Sequence, residues 1–221
     1  MSDSPRALLF DMDGLLLDTE RVVQVAFVAE CARLGHSGRA AGEFFLTLVG
    51  TGQAESAARI ARFLGPGADL DGFGAAVEAA FERGVAEGVA LRPTVAEVIP
   101  ALAARGHAMA VVTSTAGDRA RHHLDRAGLL GHFRFVLGGD EVPSPKPDPA
   151  PYRLAAARLG HDPAHALAFE DSDTGTTAAV RAGCTTVQIP DLRPAGRPLP
   201  ALGQHVSDSL AAGLARFGLP G

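Results

Sequence analysis

Lysine is almost missing from this chain: of its 20 basic residues, 19 are arginine and one, Lys146, is lysine. A drift that turns nearly every cation into arginine spares a lysine where a compact, strongly hydrated ammonium does something a planar guanidinium cannot. Cysteine is scarce too. Cys31 and Cys184 stand alone, without CxxC spacing, which excludes a disulfide scaffold and leaves two reduced, structural thiols. No cluster of basic residues exists, and a net charge of -5 with a pI near 5.9 excludes a broad basic face for a nucleic-acid backbone. No segment approaches the roughly 20 apolar residues of a membrane helix, and the N-terminus reaches Asp11 before a signal-peptide core could form. A cytoplasmic protein is expected, with no nucleic-acid or membrane partner, as a monomer or weak dimer. The histidines show no metal-ligand spacing, and the adjacent His122 and His123 face different directions on a helix.

What the chain does contain is apolar material: 47% of its 221 residues are hydrophobic and 20% charged, enough for one core plus a small accessory domain. The run Ala7-Leu8-Leu9-Phe10 is short and continuously apolar, the pattern of a strand buried on both faces of a parallel sheet. Similar runs recur at 108–112, 133–137, 166–169 and 185–189. Helical patterns fall between them at 94–105, 117–127, 149–159 and 174–182. That alternation predicts an α/β fold with a doubly wound parallel sheet, whose ligands bind beyond the carboxyl ends of the strands. Residues 18–90 do not alternate. They read as amphipathic helices, with Val22, Val25, Ala26 and Ala29 on one apolar stripe, and predict a helical cap domain inserted after the first strand into a core formed by 1–17 and 91–221. A Pro-rich loop at 190–200 and a last helix at 208–217 complete the chain.

Four strand ends carry the chemistry. Asp11-Met12-Asp13-Gly14 sets two carboxylates two residues apart where the first strand ends, with a glycine that lets the backbone turn sharply against a ligand. Val112-Thr113-Ser114 offers hydroxyls to an anionic oxygen, although such a pair also serves as an ordinary helix cap. Lys146 stands among Pro143, Pro145, Pro147 and Pro149, which remove backbone freedom around it. Phe169-Glu170-Asp171-Ser172-Asp173 ends a strand in three acids within four residues; helix N-terminal preference accounts for Asp173 but poorly for Glu170 and Asp171. If these ends converge, Asp11, Asp13, Glu170 and Asp171 surround one ammonium, and such a group stays ionised only with another cation. Oxygen ligands without histidine or cysteine select Mg2+.

These four pieces, in this order, resemble the haloacid dehalogenase superfamily, in the phosphatase branch with a helical cap after the first strand. The resemblance covers nearly the whole chain. It implies that Asp11 is the nucleophile, Asp13 the general acid and base, and Thr113 and Lys146 the phosphoryl clamps. It implies too that the metal is held by Asp11, Asp13 through its backbone carbonyl, Glu170 and Asp171. Phosphomonoester hydrolysis through an aspartyl-phosphate follows, on a small phosphorylated metabolite such as a sugar phosphate or phosphoglycolate. Gly14 and Ser114 are candidate substrate contacts, and Glu20, Thr51 and Gln53 are candidate selectors of the leaving group. Dehalogenases of the superfamily lack an acid at the position of Asp13. The sugar phosphomutase branch uses a cap histidine and a cap arginine that would fall near Val23 and Gln53, where neither is present. A phosphoacceptor signalling module gathers similar residues, but its acidic pair comes first and its lysine last, whereas here an acidic pair follows Lys146. A catalytically dead interaction protein is argued against by the complete acidic set.

Overall fold

The computed structural model describes residues 7–49, 51, 53–193 and 196–221, which separate into two units. One unit takes Thr19–Val89 and Leu192–Pro198; the other takes the chain up to Asp18, Ala90–Asp191 and Leu199–Gly221.

The first of these is helical: α1 (Thr19–Arg33), α2 (Gly38–Leu48), α3 (Gln53–Leu64) and α4 (Leu70–Glu87). Side chains at the preceding residue start two of them: Ser37 Oγ accepts from the Ala40 N–H and Asp69 Oδ1 from the Gly72 N–H, each satisfying one orphan donor of a first turn. Phe27, Cys31, Ala41, Phe45 and Phe73 form its centre, with Phe27 against the rings of Phe45 and Phe73. The buried face of α1 is therefore Ala26, Phe27 and Cys31, whereas Val25 is 69% exposed and Ala29 lies at the surface. The expected stripe of Val22, Val25, Ala26 and Ala29 is corrected here. Apolar residues run consecutively from Val25 to Ala29, so spacing alone could not choose the face. Residues 192–198, part of the Pro-rich loop counted with the core, go with the helices instead: Leu192 packs against the aromatic cluster and Arg197 Nη1 donates to the Val49 carbonyl at 2.9 Å.

The second unit is a parallel sheet of β1 (Ala7–Phe10), β2 (Met109–Val112), β3 (Phe135–Leu137), β4 (Ala166–Glu170), β5 (Thr185–Gln188) and β6 (His205–Val206), in the order β3-β2-β1-β4-β5-β6. Helices α5 (Val95–Ala104), α6 (Gly117–Arg126), α7 (Ala150–Arg158), α8 (Asp173–Ala182) and α9 (Leu210–Ala215) connect and cover it. β1, β2 and β4 are buried on both faces, as continuous apolar runs require. Ala7, Leu9, Ala110, Val112, Ala166 and Ala168 face Tyr152, Ala155, Ala156, Ala178 and Ala179, small residues that let α7 and α8 lie close to the sheet. Phe10 stacks on Phe169 at 5.1 Å and meets the edge of Phe133 at 5.9 Å. The strand order reverses at β1, the crevice position where α/β sheets bind ligands. Among the described residues no helix is long and apolar enough to cross a membrane.

Candidate active site

Asp11 is the first residue beyond β1, and its N–H still donates to the Phe169 carbonyl at 3.0 Å, so the sheet itself fixes where its carboxylate begins. The chain then turns tightly. Gly14 has φ of 79° and donates to the Leu17 carbonyl, while the N–H groups of Leu16 and Leu17 both return to the Met12 carbonyl. That left-handed conformation is open to glycine at no steric cost. Met12, Leu15, Leu16 and Leu17 are buried beneath the turn and anchor the loop; Asp11 is buried with them and Asp13 is half-buried.

Lys146 reaches this point from the proline-rich loop before α7. Its Nζ donates to Asp11 Oδ1 at 2.6 Å, to Glu170 Oε1 at 2.6 Å and to the Val112 carbonyl at 2.8 Å, filling all three donors. Only 4% of its side chain is exposed. Burial opposes its charge, but Asp11 and Glu170 outweigh that cost and hold the ammonium above its ordinary range. Lys146 is thus a buried cation with two carboxylate partners, the opposite of a solvated loop lysine.

Glu170 ends β4 with no exposed surface. Its Oε1 accepts from Lys146 and, at 2.5 Å, from the Tyr152 hydroxyl, and its Oε2 accepts from Ser172 Oγ at 3.1 Å. Glu170, expected from sequence as a metal ligand, gives both oxygens to donors of the chain, but Oε2 accepts only the Ser172 bond and keeps a lone pair toward the neighbouring acids. Gly175, on the first turn of α8, is what allows this: a Cβ there would overlap the Glu170 carboxylate. Asp171 is the next residue, and its carboxylate oxygen lies with those of Asp11 and Glu170 in a group whose atoms are all within 4.8 Å of one another. Asp11 pays for this crowding: burial first, then the charges of Glu170 and Asp13, push its carboxyl well above the ordinary range despite Lys146.

Asp13 is held from the end of β2. Its Oδ2 accepts from Thr115 Oγ1 at 2.8 Å and from Thr113 Oγ1 at 3.3 Å, and Thr113 Oγ1 in turn accepts from the Thr115 N–H. The loop beyond β3 presses on this one. Gly139 donates to the Thr115 carbonyl, and a Cβ on Gly139 would overlap the Ser114 carbonyl. Ser114 itself is exposed.

The structure therefore brings together Asp11, Asp13, Thr113, Lys146, Glu170 and Asp171, with Gly14 in the turn that joins them. Glu20, on α1, and Thr51 belong to the helical unit. The Thr51 hydroxyl is engaged locally, with the Leu48 carbonyl at 2.7 Å and Ser56 Oγ at 2.5 Å. Gly50, Gly52 and the side chain of Gln53 lie outside the described residues. Sequence reasoning missed Tyr152 and Thr115. A buried phenol on the inner face of a helix six residues after Lys146 was the available signal, since such a hydroxyl demands a partner.

Comparison with known proteins agrees with this layout. The family model described as haloacid dehalogenase-like hydrolase matches residues 8–189. The chain is 34% identical over 221 residues to the protein CbbY of Rhodobacter capsulatus, covering 94% of this chain and 95% of that one. It is 31% identical over 179 residues to a phosphorylated carbohydrates phosphatase of Thermotoga maritima, covering 80% and 81%. Its fold is similar to that of CbbY from Rhodobacter sphaeroides in complex with xylulose-(1,5)bisphosphate, with a TM-score of 0.71 and 31% identity over 97% of this chain and 99% of that one. With an aspartate-led turn after its first strand and a lysine bridging two acids across the sheet, the chain belongs to the haloacid dehalogenase-like hydrolase family.

Proposed function

We propose that this protein is a Mg2+-dependent phosphatase that transfers the phosphoryl group of a small phosphorylated metabolite to Asp11 and then to water. The single observation that carries the reading is the position of Lys146 Nζ, 2.6 Å from both Asp11 and Glu170 at the carboxyl ends of adjacent strands. A carboxylate nucleophile splits one difficult hydrolysis into two easier displacements. Its Oδ attacks phosphorus, the P–O bond to the substrate breaks, and the departing alkoxide takes a proton from Asp13. In the second half Asp13 removes a proton from water, the oxygen attacks the aspartyl-phosphate, and inorganic phosphate leaves with the Asp11 carboxylate restored. The pair of threonine donors on Asp13 Oδ2 supports this role, because it holds one oxygen while the other carries the proton. Lys146 lends positive charge to the oxygens of the transferring group.

The residues present fit a divalent cation. Three carboxylates, of Asp11, Glu170 and Asp171, crowd together beside one ammonium, the donor atoms are hard oxygens, and the raised carboxyl of Asp11 marks charge that the chain alone leaves uncompensated. The ligands would be Asp11, Asp171 and the backbone carbonyl of Asp13, with Glu170 beside them, its Oε1 taken by Lys146 and Tyr152 and its Oε2 by Ser172 alone. Bound there, Mg2+ would neutralise charge on the transferring group and orient it. The helical unit we read as the cap that selects the leaving group. The sugar-phosphate class is supported by the relatives named above, and the oxygen leaving group that Asp13 can protonate fits a sugar phosphate and a compound like phosphoglycolate alike.

The test is phosphate release from a panel of phosphorylated sugars and short phosphorylated acids with Mg2+, combined with chemical trapping of the covalent intermediate and mass spectrometry. Asp11→Asn is expected to lower turnover by at least about 10³-fold and to abolish the trapped adduct while the melting curve persists. Turnover by that variant near the wild-type rate would sink the assignment.

A further inference from the structure

Gln188 ends β5, paired with Glu170 of β4, and is completely buried. An amide in that setting is costly unless its polar atoms are matched, and a strand covered on both faces would ordinarily place an aliphatic residue there. Each polar atom has a partner. Nε2 donates to Asp173 Oδ1 at 2.9 Å and, more weakly, to the Asp171 carbonyl at 3.4 Å; Oε1 accepts from Gln204 Nε2 at 2.9 Å. Gln204 is itself fixed, donating to the Pro200 carbonyl at 2.7 Å and accepting from the Leu202 N–H at 3.0 Å. The adjacent Ile189 N–H donates to the Glu170 carbonyl at 2.7 Å. Gln188 at the end of the strand and Ile189 just beyond it thus grip the chain on both sides of the Asp171 side chain.

We propose that Gln188, backed by Gln204, is a positioning residue for the metal-binding loop Asp171–Asp173. The contact works through the backbone of Asp171 and the carboxylate of Asp173, and fixes the direction in which the Asp171 carboxylate leaves the chain. Like-charged acids crowded at a strand end drift apart in the absence of a cation. A neutral donor in the second layer holds them in the bound arrangement, so that less ordering remains to be done when the ion arrives. The inference rests on the reading of Asp171 as a Mg2+ ligand.

Its test is calorimetric titration of Mg2+ alone into the full chain without substrate, for the wild type, Gln188→Leu and Gln204→Leu. Gln188→Leu is expected to weaken Mg2+ binding about tenfold, as loss of an outer partner does at metal sites, with Gln204→Leu weakening it less. The kcat at saturating metal is expected to fall by less than threefold, whereas the metal concentration for half activation follows the calorimetric change. A merely structural glutamine would lower the melting temperature in chelator and leave Mg2+ affinity as it was; that result overturns the proposal. If Gln188→Leu does not fold, an unchanged affinity in Gln204→Leu overturns it equally. A wild type that takes up no Mg2+ removes the reading of the site and this inference together, while normal uptake by all three proteins removes only the role of Gln188.

Discussion

Three donors around Glu170 set how the residues of the site depend on one another. Because Lys146 contacts Asp11, Glu170 and the Val112 carbonyl at once, its ammonium is located by three acceptors and has no room to shift. A guanidinium is larger and planar, and in a site this closed it cannot reproduce three converging bonds. Lys146→Arg is expected to lower kcat by about 10²-fold or more with the charge retained, the size of effect seen when a positioned donor is lost; steady-state kinetics would show it, and unchanged rates would mean that the lone lysine is a coincidence of composition. Tyr152 acts one step further back. Burial first, then Glu170 and Asp11, push its phenol well above the ordinary range, so it remains a donor to the carboxylate at every working pH. Tyr152→Phe keeps the ring under the Lys146 ammonium, 5.2 Å from its centroid, and deletes only the hydrogen bond to Glu170. We expect kcat to fall about tenfold with KM within about twofold, since a bond to a charged group is worth about 1.5–3 kcal/mol. An equal loss in KM would place Tyr152 in substrate binding instead.

At the level of elements, α8 shows how a helix start can be spent on a site. Ser172 caps it, accepting from the Gly175 N–H at 3.0 Å while donating to Glu170, and the Gly183 backbone, with φ of 97°, closes its far end. Gly175→Ala would ordinarily favour a helix, but here the new methyl meets the Glu170 carboxylate. Overpacking of about 1–3 kcal/mol is expected, visible as a melting temperature lower by roughly 3–10 °C together with loss of phosphate release. β1, β2 and β4 were readable from sequence because each is an apolar run, and the acids Asp11 and Glu170 mark where β1 and β4 end. Other elements were not readable. β6 has two residues, one of them the exposed Val206, and no run length could announce it. The face of α1 was hidden by apolar residues on every side. The partnerships of Thr115, Tyr152 and Gln188 join positions 102, 18 and 15 residues from their contacts, distances at which residue spacing carries no information.

For the whole molecule, a cation that binds the folded sheet and not the unfolded chain must raise stability by mass action. At about 100 times its dissociation constant the gain is about 2.7 kcal/mol, or roughly 5–10 °C in the melting temperature of a protein this size. Chelator is expected to reverse that shift, and Asp171→Asn to remove it; a melting temperature indifferent to Mg2+ in the wild type would contradict a metal held by these acids. The register of β1 has a different consequence, one that concerns birth rather than turnover. Ala7 lies opposite Ala166, about 160 residues away, so the strand that carries Asp11 cannot find its second neighbour until most of the polypeptide has left the ribosome. At about 5–20 residues per second, roughly 8–30 s pass before both of its apolar edges can be covered. During that interval the nascent chain is open to chaperones and to aggregation, and it holds an aspartate that has not yet met its lysine.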